Sequence, residues 1–280
     1  MVRHKMVREL MYGCLVLMLS GIAMAAQQES ESAKRTSADL DEIRKVSTLL
    51  DADVMNKLNE KIADIEDLVF APEGTILYAI LSQGGVAGVG ATYYAVPWDH
   101  FTVKHANGKW AVNLDTTKEI LGKAPKFEDT SYKDLMKPEW VAKVHSYFRP
   151  HPDREPRSPG AVSVVLRASK LNDAKLKNTQ NQDVGELVEL LLDRNYRAVF
   201  AIVGRGGVLG IGESYVPVPW SKLRLMYNKE TTAITAIIDA TKAQLEQAPL
   251  VKEGSYATML APGFAGQVDR YFGSTRTTAP

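Results

Sequence analysis

Short apolar runs separated by polar or glycine-rich breaks dominate the chain from Lys61 onward, and that pattern predicts strands rather than long helices. Thr75 to Leu81 reads TILYAIL, a buried strand rich in β-branched, aromatic and apolar side chains. A glycine-rich connection follows, and then a strand from Tyr93 to Trp98. Pro97 has no N–H to offer a ladder, so this strand must end or lie at an edge there. Lys61 to Phe70 and Trp110 to Leu114 are further strand candidates. Thr116-x-x-Glu119 fits a capping box and predicts a short helix to about Lys123, stopping before Pro125. A second helix should run from Pro138 to Phe148, since proline suits the first helical turn. Its Trp140, Val144, Tyr147 and Phe148 fall on one face.

The same succession then occurs again. LSQGGVAGVGATYYAVPW at 81–98 is matched by VGRGGVLGIGESYVPVPW at 203–220. An offset of 122 carries Gly84, Gly85, Gly88 and Gly90 onto Gly206, Gly207, Gly210 and Gly212, and Pro97 and Trp98 onto Pro219 and Trp220. It also pairs Ser47 with Ser169, Asp51 with Asp173 and Asn56 with Asn178. Past a two-residue insertion near Asn228 to Thr232 the offset becomes 124, pairing Asp115 with Asp239, Tyr147 with Tyr271 and Phe148 with Phe272. The expected strands of the second copy are Asp183 to Leu192, Ala198 to Val203, Tyr215 to Trp220 and Ala233 to Ile238. Its helices follow Thr241-x-x-Gln244, to about Gln247, and span Pro262 to Phe272. A fixed register over a hundred residues is a duplication. The expected architecture is mainly β with short helices: two tandem small β-barrels, each with a C-terminal helical extension. The apolar helical faces should dock on their own domain, the alternative being a grip on the sister domain or a partner.

This divides the chain into copy 1 at 44–148 and copy 2 at 161–272, joined by RPHPDREPRSPG at 149–160. Four prolines and alternating charges make that segment a linker. The stretch 26–43 and the tail 273–280 are polar. The first 25 residues have the layout of a secretory leader: Arg3, Lys5 and Arg8, an apolar run from Leu10, and the small-x-small site Ala23-Met24-Ala25. The run is short for a membrane span, which needs about 20 residues. The expectation is cleavage near Ala25 or Ala26 and a periplasmic or envelope-associated product without a permanent transmembrane helix; a retained anchor is the alternative. The leader carries three basic groups and one acidic group, so the net charge of +1 becomes −1 on cleavage. The only cysteine, Cys14, leaves with it. Balanced charge argues against a nucleic-acid partner, because phosphate binding rests on basic charge.

The order of these features resembles the PRC-barrel family. The resemblance rests on Ala168-Ser169-Lys170-Leu171, Glu66-Asp67-Leu68, the two glycine runs, Val96-Pro97-Trp98 with Val218-Pro219-Trp220, and Asp239-Ala240-Thr241-Lys242 with Ala248-Pro249. It covers roughly 44–127 and 166–251. It implies small barrels of the kind found in the photosynthetic reaction-centre H subunit and in a ribosome maturation factor. It also implies a protein-interaction module with protein partners rather than a catalyst. Ala63 stands where copy 2 has Gly185, at what the resemblance implies is a turn position.

Candidate chemistry is sparse. The glycine runs read GGxxGxG, not GxGxxG, with no long helix after them, and are expected to be strand connections rather than a phosphate cradle. His145, His151 and Asp153 could suggest a metal, but Asp269 replaces His145, and Lys222 and Tyr227 replace His100 and His105. Scattered surface histidines are the expectation. Glu66 and Asp67, opposite Val188 and Glu189 in the repeat, are expected as rim or surface charges. Ser47 and Ser169 recur without a recurring histidine to activate them. Trp98 and Trp220 should be core, with an exposed aromatic platform as the alternative. No catalytic, cofactor or metal residue is assigned, and the expected role is an exported, non-catalytic interaction or assembly module of the cell envelope. The alternative is an accessory subunit of an envelope electron-transfer complex, by analogy with the H subunit.

Overall fold

The computed structural model describes residues 44–84, 90–106, 109–127, 132–148, 162, 164–206, 214–252, 256–261 and 263–273. The leader at 1–25, the polar stretch 26–43, the linker 149–160 and the tail beyond Gly273 lie outside the described residues.

In copy 1 the chain forms β1 (Arg44–Lys45), α1 (Val46–Leu50), β2 (Asp53–Met55), β3 (Lys61–Phe70), β4 (Ile76–Gln83) and β5 (Thr92–Pro97). It continues through β6 (Phe101–Ala106), β7 (Lys109–Leu114), α2 (Lys118–Leu121), β8 (Lys126–Phe127) and α3 (Pro138–Tyr147). Copy 2 forms β9 (Leu166–Arg167), α4 (Ala168–Leu171), β10 (Lys175–Asn178), β11 (Asp183–Leu192), β12 (Ala198–Arg205), β13 (Ser214–Pro219), β14 (Leu223–Tyr227) and β15 (Ile234–Ile238). The helices α5 (Lys242–Gln247) and α6 (Phe264–Tyr271) complete it.

Each copy makes its own sheet. The order is β6-β7-β2-β3-β4-β5-β8 in copy 1 and β14-β15-β10-β11-β12-β13 in copy 2. One parallel pairing in each, β2 with β7 and β10 with β15, interrupts an otherwise antiparallel arrangement. The prolines end their strands as expected: β5 stops at Pro97 and β13 at Pro219, each followed by a turn of 3-10 helix that starts at the tryptophan.

The leading strands do not stay at home. β1 of copy 1 pairs with β11 of copy 2, Lys45 opposite Leu191. β9 of copy 2 pairs with β3 of copy 1, Arg167 opposite Val69. These are the same pair with the copies interchanged, so the chain has a pseudo-twofold axis and each sheet borrows a strand from its sister. The largest buried apolar cluster accordingly runs through both copies and includes Val46, Leu49, Leu68 and Trp98 with Leu171, Leu190 and Trp220.

The outer face of each sheet is covered by that copy's own extension. Val144, Leu135 and Tyr132 pack on Val69, Tyr78 and Ile80, and Val268, Ala265 and Met259 pack on Leu191, Phe200 and Ile202. The helical faces therefore dock on their own copies, and the extension of copy 1 also meets Val165 from the start of copy 2. A tyrosine fastens each one: Tyr147 donates to the Ile120 carbonyl, and Tyr271 donates to the Gln244 carbonyl at 2.5 Å.

Local chemistry explains the turns. Asn56 and Asn178 are buried at the tips of matching hairpins, where each side-chain oxygen accepts from two backbone N–H groups: Leu58 and Glu60 in one, Gln180 and Gln182 in the other. Thr241 makes the full capping box with Gln244. In copy 1 the cap is Thr117, not Thr116; it accepts from the Ile120 N–H at 3.3 Å. The 124-residue offset maps Thr241 onto Thr117, so the repeat register outranks the local motif. α6 begins at Phe264, after Gly263 in the left-handed region; Pro262 lies outside the described residues. Ala63 and Gly185 are inside β3 and β11, not in turns, beside a register shift that both copies share.

Candidate functional site: the junction between the copies

The polar residues that recur in both copies converge on the junction. β3 carries a bulge between Ile65 and Asp67, and β11 carries the same bulge between Leu187 and Glu189. A bulge re-aims a side chain. Here Glu66 is exposed, while Asp67 is 0% exposed and Glu189 4%. Neither of these two is a rim or surface charge.

A buried carboxylate needs donors for its lone pairs. Asp67 Oδ1 accepts from the N–H of Leu68 at 2.9 Å and of Ser169 at 3.0 Å. Its Oδ2 accepts from Ser169 Oγ at 2.5 Å and Arg167 Nε at 2.8 Å. Glu189 Oε1 accepts from the N–H of Leu190 at 2.9 Å and of Ser47 at 3.2 Å, and Oε2 accepts from the Ser47 hydroxyl. The serines lie in the first turns of α4 and α1, where backbone N–H groups have no intrahelical acceptor. Neither helix is capped by its own preceding side chain. The sister copy's carboxylate takes that place. Ser47 and Ser169 are thus fasteners between copies, each held by a carboxylate.

The two sites differ in electrostatics. Arg167 lies between Asp67 and the face of Tyr132, with its guanidinium carbon 4.1 Å from the ring centre. Burial pushes the Tyr132 hydroxyl well above its ordinary value. Among the described residues Glu189 has the charge of Lys45 nearby but no such ion pair, and burial raises its carboxyl above the usual range, opposed by its bonds to Ser47 and Leu190.

Above these fasteners the two β-hairpin turns meet. Thr75 bridges Arg197, and Ala198 N–H donates to the Gly74 carbonyl at 2.8 Å. Trp220 Nε1–H donates to the Pro72 carbonyl at 3.0 Å. Trp98 packs edge-on to Tyr196, with ring centres 5.4 Å apart. Both tryptophans are core residues, but the core they enter is shared with the sister copy.

Of the glycines, Gly84 and Gly206 have φ of +75° and +73° at the ends of β4 and β12, and Gly90 has +79° just before β5. They start or end connections between adjacent strands. Gly85, Gly88, Gly207, Gly210 and Gly212 lie outside the described residues, as do His151 and Asp153.

His145 is half-buried and bonded to Tyr78 Oη at 3.0 Å, not a loose surface residue. His100 packs against Phe148, ring centres 5.9 Å apart. In copy 2 the Tyr78–His145 pair becomes Phe200 and Asp269. Among the described residues no group of three or more His, Cys, Asp or Glu is placed to hold a metal ion.

Sequence reasoning treated Ser47, Ser169, Asp67 and Glu189 separately. The signal that joins them is the common 122-residue offset: serine and carboxylate recur together although Asp becomes Glu.

Comparison with curated proteins finds none that matches the chain. The family model of the PRC-barrel domain matches twice, over residues 41–121 and 164–245, more than half of the chain. Both matches begin at the exchanged leading segments and end in the short helix after the last long strand. With two curled sheets built to one plan, the chain belongs to the PRC-barrel domain family, a protein-interaction fold, which it carries as two tandem copies.

Proposed function

We propose that this protein is an exported, non-catalytic assembly module of the cell envelope that uses its paired PRC barrels to hold protein partners. The observation that carries the reading is where the recurring polar residues are spent. Ser47, Ser169, Asp67 and Glu189 bind one copy to the other, Asn56 and Asn178 shape hairpins, and Tyr147 and Tyr271 fasten extensions. Groups committed to backbone donors and acceptors in both copies support a scaffold role. The family's interaction fold supports the same reading. The basic start, apolar run and Ala23-Met24-Ala25 site support export.

The test is affinity capture of the tagged mature protein from cell-envelope extract after cross-linking, with mass spectrometry of what co-elutes and N-terminal sequencing of the bait. The expected result is a start near Ala26 or Gln27 and a defined set of envelope proteins. Turnover of a small molecule by the purified protein, or an intact Met1 on cytoplasmic protein, would sink the proposal. Co-elution with electron-transfer subunits would place the assembly there.

A further inference from the structure

The junction is chemically asymmetric although its backbone is nearly symmetric. Gly74 and Tyr196 occupy equivalent turn positions, both in the left-handed region, with φ of +90° and +59°. A Cβ at Gly74 would stand 2.9 Å from Trp220 Nε1 and 3.0 Å from the Ala198 carbonyl oxygen. In its observed position, hydrogen-bonded to the Pro72 carbonyl, Trp220 therefore needs a glycine at that turn. Trp98, at the equivalent place, closes on the ring of Tyr196. The fasteners are matched in the same way. The shorter Asp67 meets Arg167, which also stacks on Tyr132, whereas the longer Glu189 meets the segment that carries Lys45.

We propose that each copy carries a recognition site for the leading strand and helical turn of another PRC barrel, and that these residues make the two copies pair with each other and not with themselves. In a pair of second copies Trp220 would face Tyr196, whose side chain would fill the space that Gly74 leaves open. In a pair of first copies Trp98 would lose the Tyr196 ring, and Asp67 would meet Lys45 in place of Arg167. The chain is a fused heterodimer, and its partner class at these sites is the sister copy. The linker raises the local concentration of two surfaces that recognise each other without it.

The test uses the whole chain with a protease site placed within residues 149–160, cut after folding and followed by native mass spectrometry at micromolar concentration. The nicked protein should remain one particle holding one N-terminal and one C-terminal fragment. Unfolding in urea followed by dilution should restore that pair, with like pairs at about a tenth or less of the total. Ser169→Ala in the nicked protein should raise the dissociation constant by about 10- to 150-fold, the scale of a lost hydrogen bond to a charged group, with circular dichroism reporting retained fold. Tyr196→Gly should relax the code, so that pairs of C-terminal fragments appear. Fragments that separate on cutting, or that re-pair like with like as often as with unlike, would overturn the proposal. So would a Tyr196→Gly protein that remains folded and forms no such pairs.

Discussion

Gly185→Ala tests whether a close backbone approach constrains copy 2 where copy 1 tolerates a side chain. Gly185 lies opposite Leu176, next to the register shift between β10 and β11. Its φ is +151°, and a Cβ there would stand 2.7 Å from both the Gly204 carbonyl oxygen and Val203 Cγ1. Carbon–oxygen contacts between strands settle at about 3.3–3.6 Å. β12 would have to move by roughly 0.6 Å against a packed core. Overpacking of this kind costs about 1–3 kcal/mol, and an unfavourable backbone conformation about 1–3 more. The lower chain entropy of alanine in the unfolded state returns about 0.4–1 kcal/mol. The net expectation is a loss of about 1–5.6 kcal/mol, centred on about 3 kcal/mol. Ala63 has no positive φ, and Ala63→Gly should cost only about 0.5–1 kcal/mol. Urea unfolding, followed by far-ultraviolet circular dichroism and tryptophan fluorescence, measures both. The shared core should give one transition for the two probes. A Gly185→Ala midpoint equal to wild type at unchanged slope would refute the close-approach argument.

Glu189→Gln should stay within about 1 kcal/mol of wild type at pH 7, since burial shifts this carboxyl toward its neutral form, the amide oxygen can accept the Ser47 and Leu190 N–H groups, and among the described residues no ion pair with an arginine is broken. Asp67→Asn breaks a buried ion pair with Arg167 and should cost about 3–5 kcal/mol; equal costs in urea titrations would contradict the assigned asymmetry. Burial depresses the folded pKa of His145 below 6.5, so the unfolded chain takes the proton first. The contribution of this group is complete above pH 6.5 and is lost as pH falls through the folded value. Denaturation at stepped pH from 8 to 5 should show His145→Gln losing less stability than wild type, and parallel curves would count against it. Tyr147→Phe and Tyr271→Phe should each remove about 0.5–1.5 kcal/mol of extension docking, read as faster amide exchange in α3 or α6; unchanged exchange would show that the hydroxyls hold nothing.

Much of this protein is written locally. Lys61–Phe70 and Asp183–Leu192 form strands with the expected ends because alternation, β-branching and flanking turn residues act over a few neighbours. The duplication is legible because both copies keep the same core and turn positions in register. The capping box at Thr241 needs only four residues. Other features depend on contacts across more than a hundred residues. Arg44–Lys45 and Leu166–Arg167 are two-residue strands, too short for any periodicity, and only the sister sheet supplies their partners. Asp67 and Glu189 read as surface charges because charged residues usually are. The bulges that turn them inward, and the Ser169 and Ser47 donors that satisfy them, come from opposite halves of the chain. Trp98 and Trp220 announced a core but not whose. A side chain's burial depends on what the fold places over it, and here the covering surface belongs to the other copy.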